Sequence, residues 1–196
     1  MTSAPLLFAL CAAARGRFPP RRQEVETGMG LAGALLLQGA LAGRLALSRD
    51  RVLVLGRAGT GDPSLDGALQ RIGAATREAA PTAWVDRLGP WALDRLRSEL
   101  DGLASDGLRP DRALRWVREA VDRPTGSSIE AVAAGELLVA AGLARIVCPE
   151  APAPRTGRRT ARAVAGLGPS GVPVARVSAA VSDCLASATA ALAFPG

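Results

Sequence analysis

Any chemistry in this chain must proceed without histidine or tyrosine, because the sequence contains neither. Their absence removes imidazole-based nucleophilic catalysis of the Ser-His-Asp and Cys-His kinds. It also removes most zinc sites, which lean on His or on paired Cys. Cys11, Cys148 and Cys184 lie far apart and show no CxxC spacing. They read as small buried hydrophobes in a reducing cytoplasm. Carboxylates remain as acid–base candidates. Asp62, Asp66, Asp86, Asp94, Glu99 and Asp101 all fall on predicted helices or at their ends, each with an arginine or a capping role nearby. No pair of them stands isolated in an apolar setting. The expectation is a protein that is not an enzyme, with no catalytic residue, no metal and no cofactor.

Two patterns could bind phosphate. Gly56-Arg57-Ala58-Gly59-Thr60-Gly61 has the glycine spacing that opens a nucleotide loop, but Asp62-Pro63 stands where Lys and Ser or Thr are needed. A carboxylate there repels phosphate, so the segment reads as a loop feeding a capped helix. The second pattern is arginine. All 24 basic residues are Arg, against 18 acids, for a net charge of +6. Most are spread among the acids and read as solvated faces. Two clusters stand out, Arg15, Arg17, Arg21 and Arg22 near the start, and Arg155, Arg158, Arg159 and Arg162 toward the end. Either could meet anionic lipid headgroups or nucleic-acid phosphates. Neither cluster has the interleaved aromatics that would favour nucleic acid.

The elements that must position these residues are mainly helices. The chain is 48% hydrophobic but only 3% aromatic, so its core must be built of Leu, Val and Ala. Leu and Ala also favour helix, since they lose little rotamer freedom there. Residues 4–14 form an apolar helix with no basic residue before it and too short for a signal peptide. Pro19-Pro20 break the chain. Residues 29–41 are apolar on nearly every side, as befits the middle of a bundle. At residues 44–48 and 51–55 the period switches to that of two short strands joined by a tight loop, a β-hairpin. Asp62-Pro63 then signals a helix start, with Leu65, Leu69 and Ile72 on one face. Further helices are predicted from Pro81 to about Gly107, over 111–122, over 129–147 and over 172–193. Residues 149–160 read as a Pro/Arg-rich linker inside a single domain of residues 1–196. No segment reaches 18 clean apolar residues, so none is predicted to span a membrane.

Residues 31–37 (Leu-Ala-Gly-Ala-Leu-Leu-Leu), 40–45 (Ala-Leu-Ala-Gly-Arg-Leu) and 60–69 (Thr-Gly-Asp-Pro-Ser-Leu-Asp-Gly-Ala-Leu), in that order, resemble the Golgi phosphoprotein 3 family, in its bacterial branch. Pro81-Thr82-Ala83-Trp84-Val85, Ala140-Ala141-Gly142-Leu143 and the Ala/Val-rich final helix are similar to later parts of that family. The resemblance implies a helical bundle edged by one or two short β-hairpins. It also implies a peripheral membrane protein that binds phosphatidylinositol 4-phosphate through a Trp and an Arg near the start of the central helix and two Arg on a later helix. Carried onto this chain, the first Arg falls on Ala32 and the Trp near Gln23. The later pair falls within 93–97, where Arg95 and Arg97 are the nearest candidates, one residue out of register. The family's second hairpin, after Gly107, is shortened or lost, because Leu108-Arg109-Pro110-Asp111 runs directly into a helix.

The resulting expectation is a cytoplasmic, non-catalytic protein, peripheral on the inner face of the membrane. It would bind anionic phospholipid headgroups through Arg95, Arg97, Arg21 and Arg22. The alternative is a protein-interaction module that keeps the fold and has lost the lipid pocket, a reading favoured by Ala32. Nucleic acid is the disfavoured partner.

Overall fold

The structure is a computed structural model that describes residues 3–13, 23–56, 58–103 and 109–193. It is mainly helical, with one two-stranded antiparallel sheet among the described residues. The predicted class, a helical bundle with a small hairpin at its edge, is what is observed.

The bundle is built around α2 (Glu24–Leu41), which packs against α1 (Ala4–Ala13), α4 (Pro81–Leu103), α6 (Ile129–Ala140) and α9 (Gly171–Ala193). Every residue of α2 from Thr27 to Leu37 is buried, as the all-round apolar pattern requires. The helix starts five residues before the predicted Met29. Its first turn is polar, and Glu24 and Glu26 there suit the positive end of the helix dipole. Glycines let neighbours come close. A side chain at Gly30 would run into the Phe8 ring of α1, and one at Gly28 would lie 2.8 Å from the Gly89 carbonyl oxygen of α4. The α2 and α4 backbones therefore touch where they cross.

Gly43, with φ +67°, ends α2 and turns the chain into β1 (Leu45–Leu47), which pairs with β2 (Val52–Val54). Leu45 and Val52 point into the core. An Arg176 guanidinium of α9 donates to the Leu47 carbonyl, holding the hairpin against the final helix. Next, α3 (Pro63–Gly73) opens as predicted. The Asp62 carboxylate accepts the backbone N–H groups of Ser64 and Leu65 at 2.9 and 3.0 Å, with Pro63 in the first turn. The amphipathic α5 (Pro110–Asp122) buries Leu114, Val117 and Val121, the predicted stripe. The segment 104–108, where a second hairpin would begin, lies outside the described residues.

Two predicted boundaries fail. Residues 129–147 are two helices, α6 and the short α7 (Ala144–Val147). Gly142 takes φ +75°, and the Leu143 N–H closes back on the Leu138 carbonyl at 2.7 Å. This is a helix-ending geometry that a continuous apolar pattern hides. The second correction concerns 149–160. Rather than a linker, most of it belongs to α8 (Ala153–Gly166), an amphipathic helix packed on α6 that buries Thr156, Thr160, Ala163 and Val164. Threonine and alanine make a thin stripe that four arginines outweigh on any hydropathy reading.

Candidate functional site

Of the residues proposed for a headgroup site, Arg95 and Arg97 lie among the described residues, and they turn to different neighbours. Arg95 and Arg97 sit two positions apart on α4, hence about 200° apart around the helix. Arg95 turns toward the start of α3. Its Nε donates to Ser64 Oγ at 3.2 Å and lies 3.3 Å from Glu99 Oε1, while the Ser64 hydroxyl also donates to Glu99. Arg97 turns toward the start of α2. Its guanidinium meets Glu24 Oε1 at 2.8 Å and Asp94 Oδ1 at 3.5 Å. Each arginine is thus engaged by carboxylate of its own chain. Arg21 and Arg22 lie outside the described residues. Ala32, at the place of the family's first arginine, is fully buried in α2 and faces core rather than ligand.

A concave site does exist on the Arg97 side. A cavity of about 300 Å³ lies between α2 and α4, lined by Glu24, Val25, Gly28, Met29, Asp86, Gly89, Pro90, Leu93, Asp94 and Arg97. The touching backbones at Gly28 and Gly89 form its floor. Pro90, inside α4, offers no N–H to the carbonyl four residues back, that of Asp86. Val25 is 58% exposed at the rim and Met29 and Leu93 are buried below it. Three carboxylates and one arginine, already doubly paired, make the lining net acidic. Such a groove can hold an apolar side chain in its base and a positive charge at its rim. A phosphate would meet repulsion from three sides.

Asp86, Pro90, Leu93, Asp94 and Arg97 recur at helical spacing along one side of α4, so this half of the site was readable from the sequence. The half that α2 contributes was not. Glu24 lies in a segment read as a break, and nothing local ties it to a residue 73 positions away.

The glycine loop has the structural role expected of it. Asp66 Oδ1 accepts both the backbone N–H and the hydroxyl of Thr60, at 2.7 and 2.8 Å, and the Asp62 N–H donates to Thr60 Oγ1. The Thr60 amide, then its hydroxyl, hold the Asp66 carboxyl below the usual carboxylate range. Both Thr60 donors of the loop are thus already taken up by a carboxylate of the same chain. The cysteines divide. Cys11 and Cys184 are buried as expected, whereas Cys148 is half-buried, with Arg159 beside its sulfur. Burial pushes the Cys11 thiol up to about 12, against the opposing pull of Arg118.

One buried carboxylate escaped the sequence reading. Glu136 of α6 accepts the Ser178 hydroxyl of α9 at 2.8 Å, and its second oxygen is buried with no hydrogen-bond partner among the described residues. The signal was its position as the one acid inside the apolar 131–147 segment. Among the described residues no group of three metal-ligating side chains occurs, and no helix is long and apolar enough to cross a membrane.

The model of the Golgi phosphoprotein 3 family matches residues 4–108, from α1 through α4, and the chain belongs to that family. Comparison with curated proteins finds no match. Membership fits a non-catalytic role in binding lipid or protein.

Proposed function

We propose that this member of the Golgi phosphoprotein 3 family is a non-catalytic protein-binding module whose α2/α4 groove receives a partner segment carrying an apolar side chain next to positive charge. The observation that carries this reading is the Arg97 guanidinium, held between Glu24 and Asp94 in a groove that also presents Asp86. Burying an apolar side chain against Met29 and Leu93 would supply roughly 1.5–3 kcal/mol, and the rim charges would select the sign of the partner. The divergence of Arg95 from Arg97 argues against a shared phosphate site for the two.

The test uses the full chain on an array of immobilised 15-residue peptides of varied charge. Capture is expected on peptides that pair Leu, Ile or Phe with Arg or Lys. It should be lost in Asp86→Lys/Asp94→Lys and kept in Arg49→Glu, a distant charge reversal. The headgroup reading through Arg21, Arg22, Arg95 and Arg97 predicts the opposite. Sedimentation with vesicles containing phosphatidylinositol 4-phosphate, abolished by Arg97→Ala and indifferent to the groove acids, would replace the protein-binding reading with a lipid-binding one.

A further inference from the structure

The hairpin leaves part of its β2 edge open. The Ser48 N–H donates to the Arg51 carbonyl and the Leu55 N–H to the Arg44 carbonyl, so 48/51 and 44/55 are hydrogen-bonded pairs of the ladder. Such pairs alternate in an antiparallel ribbon, so Val52 and Val54 turn their main-chain groups outward from β2. The Val52 N–H is met by the Ala79 carbonyl at 2.9 Å. Among the described residues, nothing meets the Val52 carbonyl or the N–H and carbonyl of Val54. An unpaired edge of this kind is a template for another strand.

That edge opens onto two adjoining cavities, of about 390 and 380 Å³, which share Val54, Gly56 and Gly73. Both lie within the size range of ligand sites, about 300–1,000 Å³. Leu69, Ile72 and Trp84, all buried, line them with apolar surface. The Trp84 indole N–H is buried with no hydrogen-bond partner among the described residues. The charges around the cavities are unequal. Asp66 is engaged by Thr60, and Glu78 by Arg51 at 3.6 Å. Arg77 is exposed and meets no carboxylate among the described residues. A guanidinium nitrogen of Arg44 stands beside Gly56, where a side chain would meet it at 3.1 Å. Positive charge is therefore left over beside the open edge.

We infer that β2 receives an extended acidic peptide of a partner protein as a third strand of the sheet. The Val52 carbonyl and the N–H and carbonyl of Val54 bond the guest main chain, and alternate apolar side chains of the guest enter the cavities. Carboxylates flanking them meet Arg44 and Arg77. The α2/α4 groove selects the opposite charge and shares no lining residue with these cavities, so the two sites are separate.

The test titrates the 15N-labelled full chain with the peptide Asp-Thr-Val-Thr-Val-Thr-Asp, blocked at both ends, at low salt. Saturable shifts of the Val54 and Gly56 amide signals are expected, with slower hydrogen exchange at Val54. Peptides methylated on the Val nitrogens or on the Thr nitrogens give the sharper comparison. Only every second residue of a strand bonds a given neighbour, so one of the two should lose binding, about fivefold for each bond removed, and the other should keep it. Arg77→Glu should weaken binding several-fold at low salt and little at high salt. The inference is overturned if no amide shifts, if both methylated peptides bind alike, or if the shifts fall on Glu24–Met29 and Asp86–Arg97 instead. Protection of the Val54 amide that grows with protein concentration in the chain alone would assign the edge to a second copy, and would overturn it too.

Discussion

Replacing Gly28 by Ala tests whether α2 and α4 touch through their backbones. In an exposed helix interior this substitution would stabilise by about 1 kcal/mol, because Ala loses less backbone entropy than Gly. Here the new methyl would stand 2.8 Å from the Gly89 carbonyl oxygen, and an ordinary contact begins near 3.4 Å. The helices must part by about 0.6 Å, and the atom in the way is backbone, which cannot rotate aside as a side chain would. Overpacking of this kind costs about 1–3 kcal/mol. Against the propensity gain, a net loss of up to about 2 kcal/mol is expected. With a urea dependence of about 2 kcal/mol per molar, the midpoint should fall by up to about 1 M. Tryptophan fluorescence reports it, since Trp84 and Trp91 both lie on α4. Gly73→Ala is the internal control. A methyl there meets only Val54 Cγ2 at 3.8 Å at the exposed end of α3, so it should raise the midpoint slightly. If Gly28→Ala also raised the midpoint, the close crossing of α2 and α4, and the groove floor with it, would be refuted.

The remaining predictions concern single groups. Asp62→Ala removes the cap on two α3 amides and should cost about 1 kcal/mol in urea unfolding, with Asp62→Asn recovering most of it. Asp66 is held below its unfolded pKa by Thr60, so it adds stability above that pKa and loses it as pH falls through the folded value. The urea midpoint of the parent should therefore drop toward that of Asp66→Asn as pH is lowered from neutral to below about 4. In the folded protein a thiol reagent near pH 8 should modify Cys148 and spare Cys11, whose thiol is buried and pushed up to about 12. Mass spectrometry would detect the order, and early labelling of Cys11 would contradict its place in the core.

What the sequence made legible was mostly local. The hairpin announced itself by a change of period, and α3 by Asp62-Pro63, because the signal and the bonds it makes lie within a few residues of each other. The α5 stripe was visible for the same reason. The errors came where conformation is not written in hydropathy. At Gly142 the apolar pattern runs on unbroken, but the backbone needs a positive φ that only a permissive residue adopts easily. In α8 the buried stripe is Thr and Ala, so the prolines and arginines around it outweighed a helix that tertiary packing on α6 nonetheless secures.

The arginines show why charge in a sequence does not translate directly into a site. Arg95 and Arg97 looked like a pair because they are close along the chain. On a helix a spacing of two is the one that separates side chains most, so α4 itself sends them to different neighbours. Each then meets carboxylates, Glu99 in one case, Glu24 and Asp94 in the other. The α8 arginines are spaced by three, four and seven, the intervals that gather side chains on one face, and the chain around them lacks acids. The same residue type thus does opposite things in two helices of one fold. Periodicity decides whether the charges converge, and the carboxylates brought up by tertiary packing decide whether any of that charge is left for a ligand. On both counts α4 presents an acidic groove and α8 a basic face.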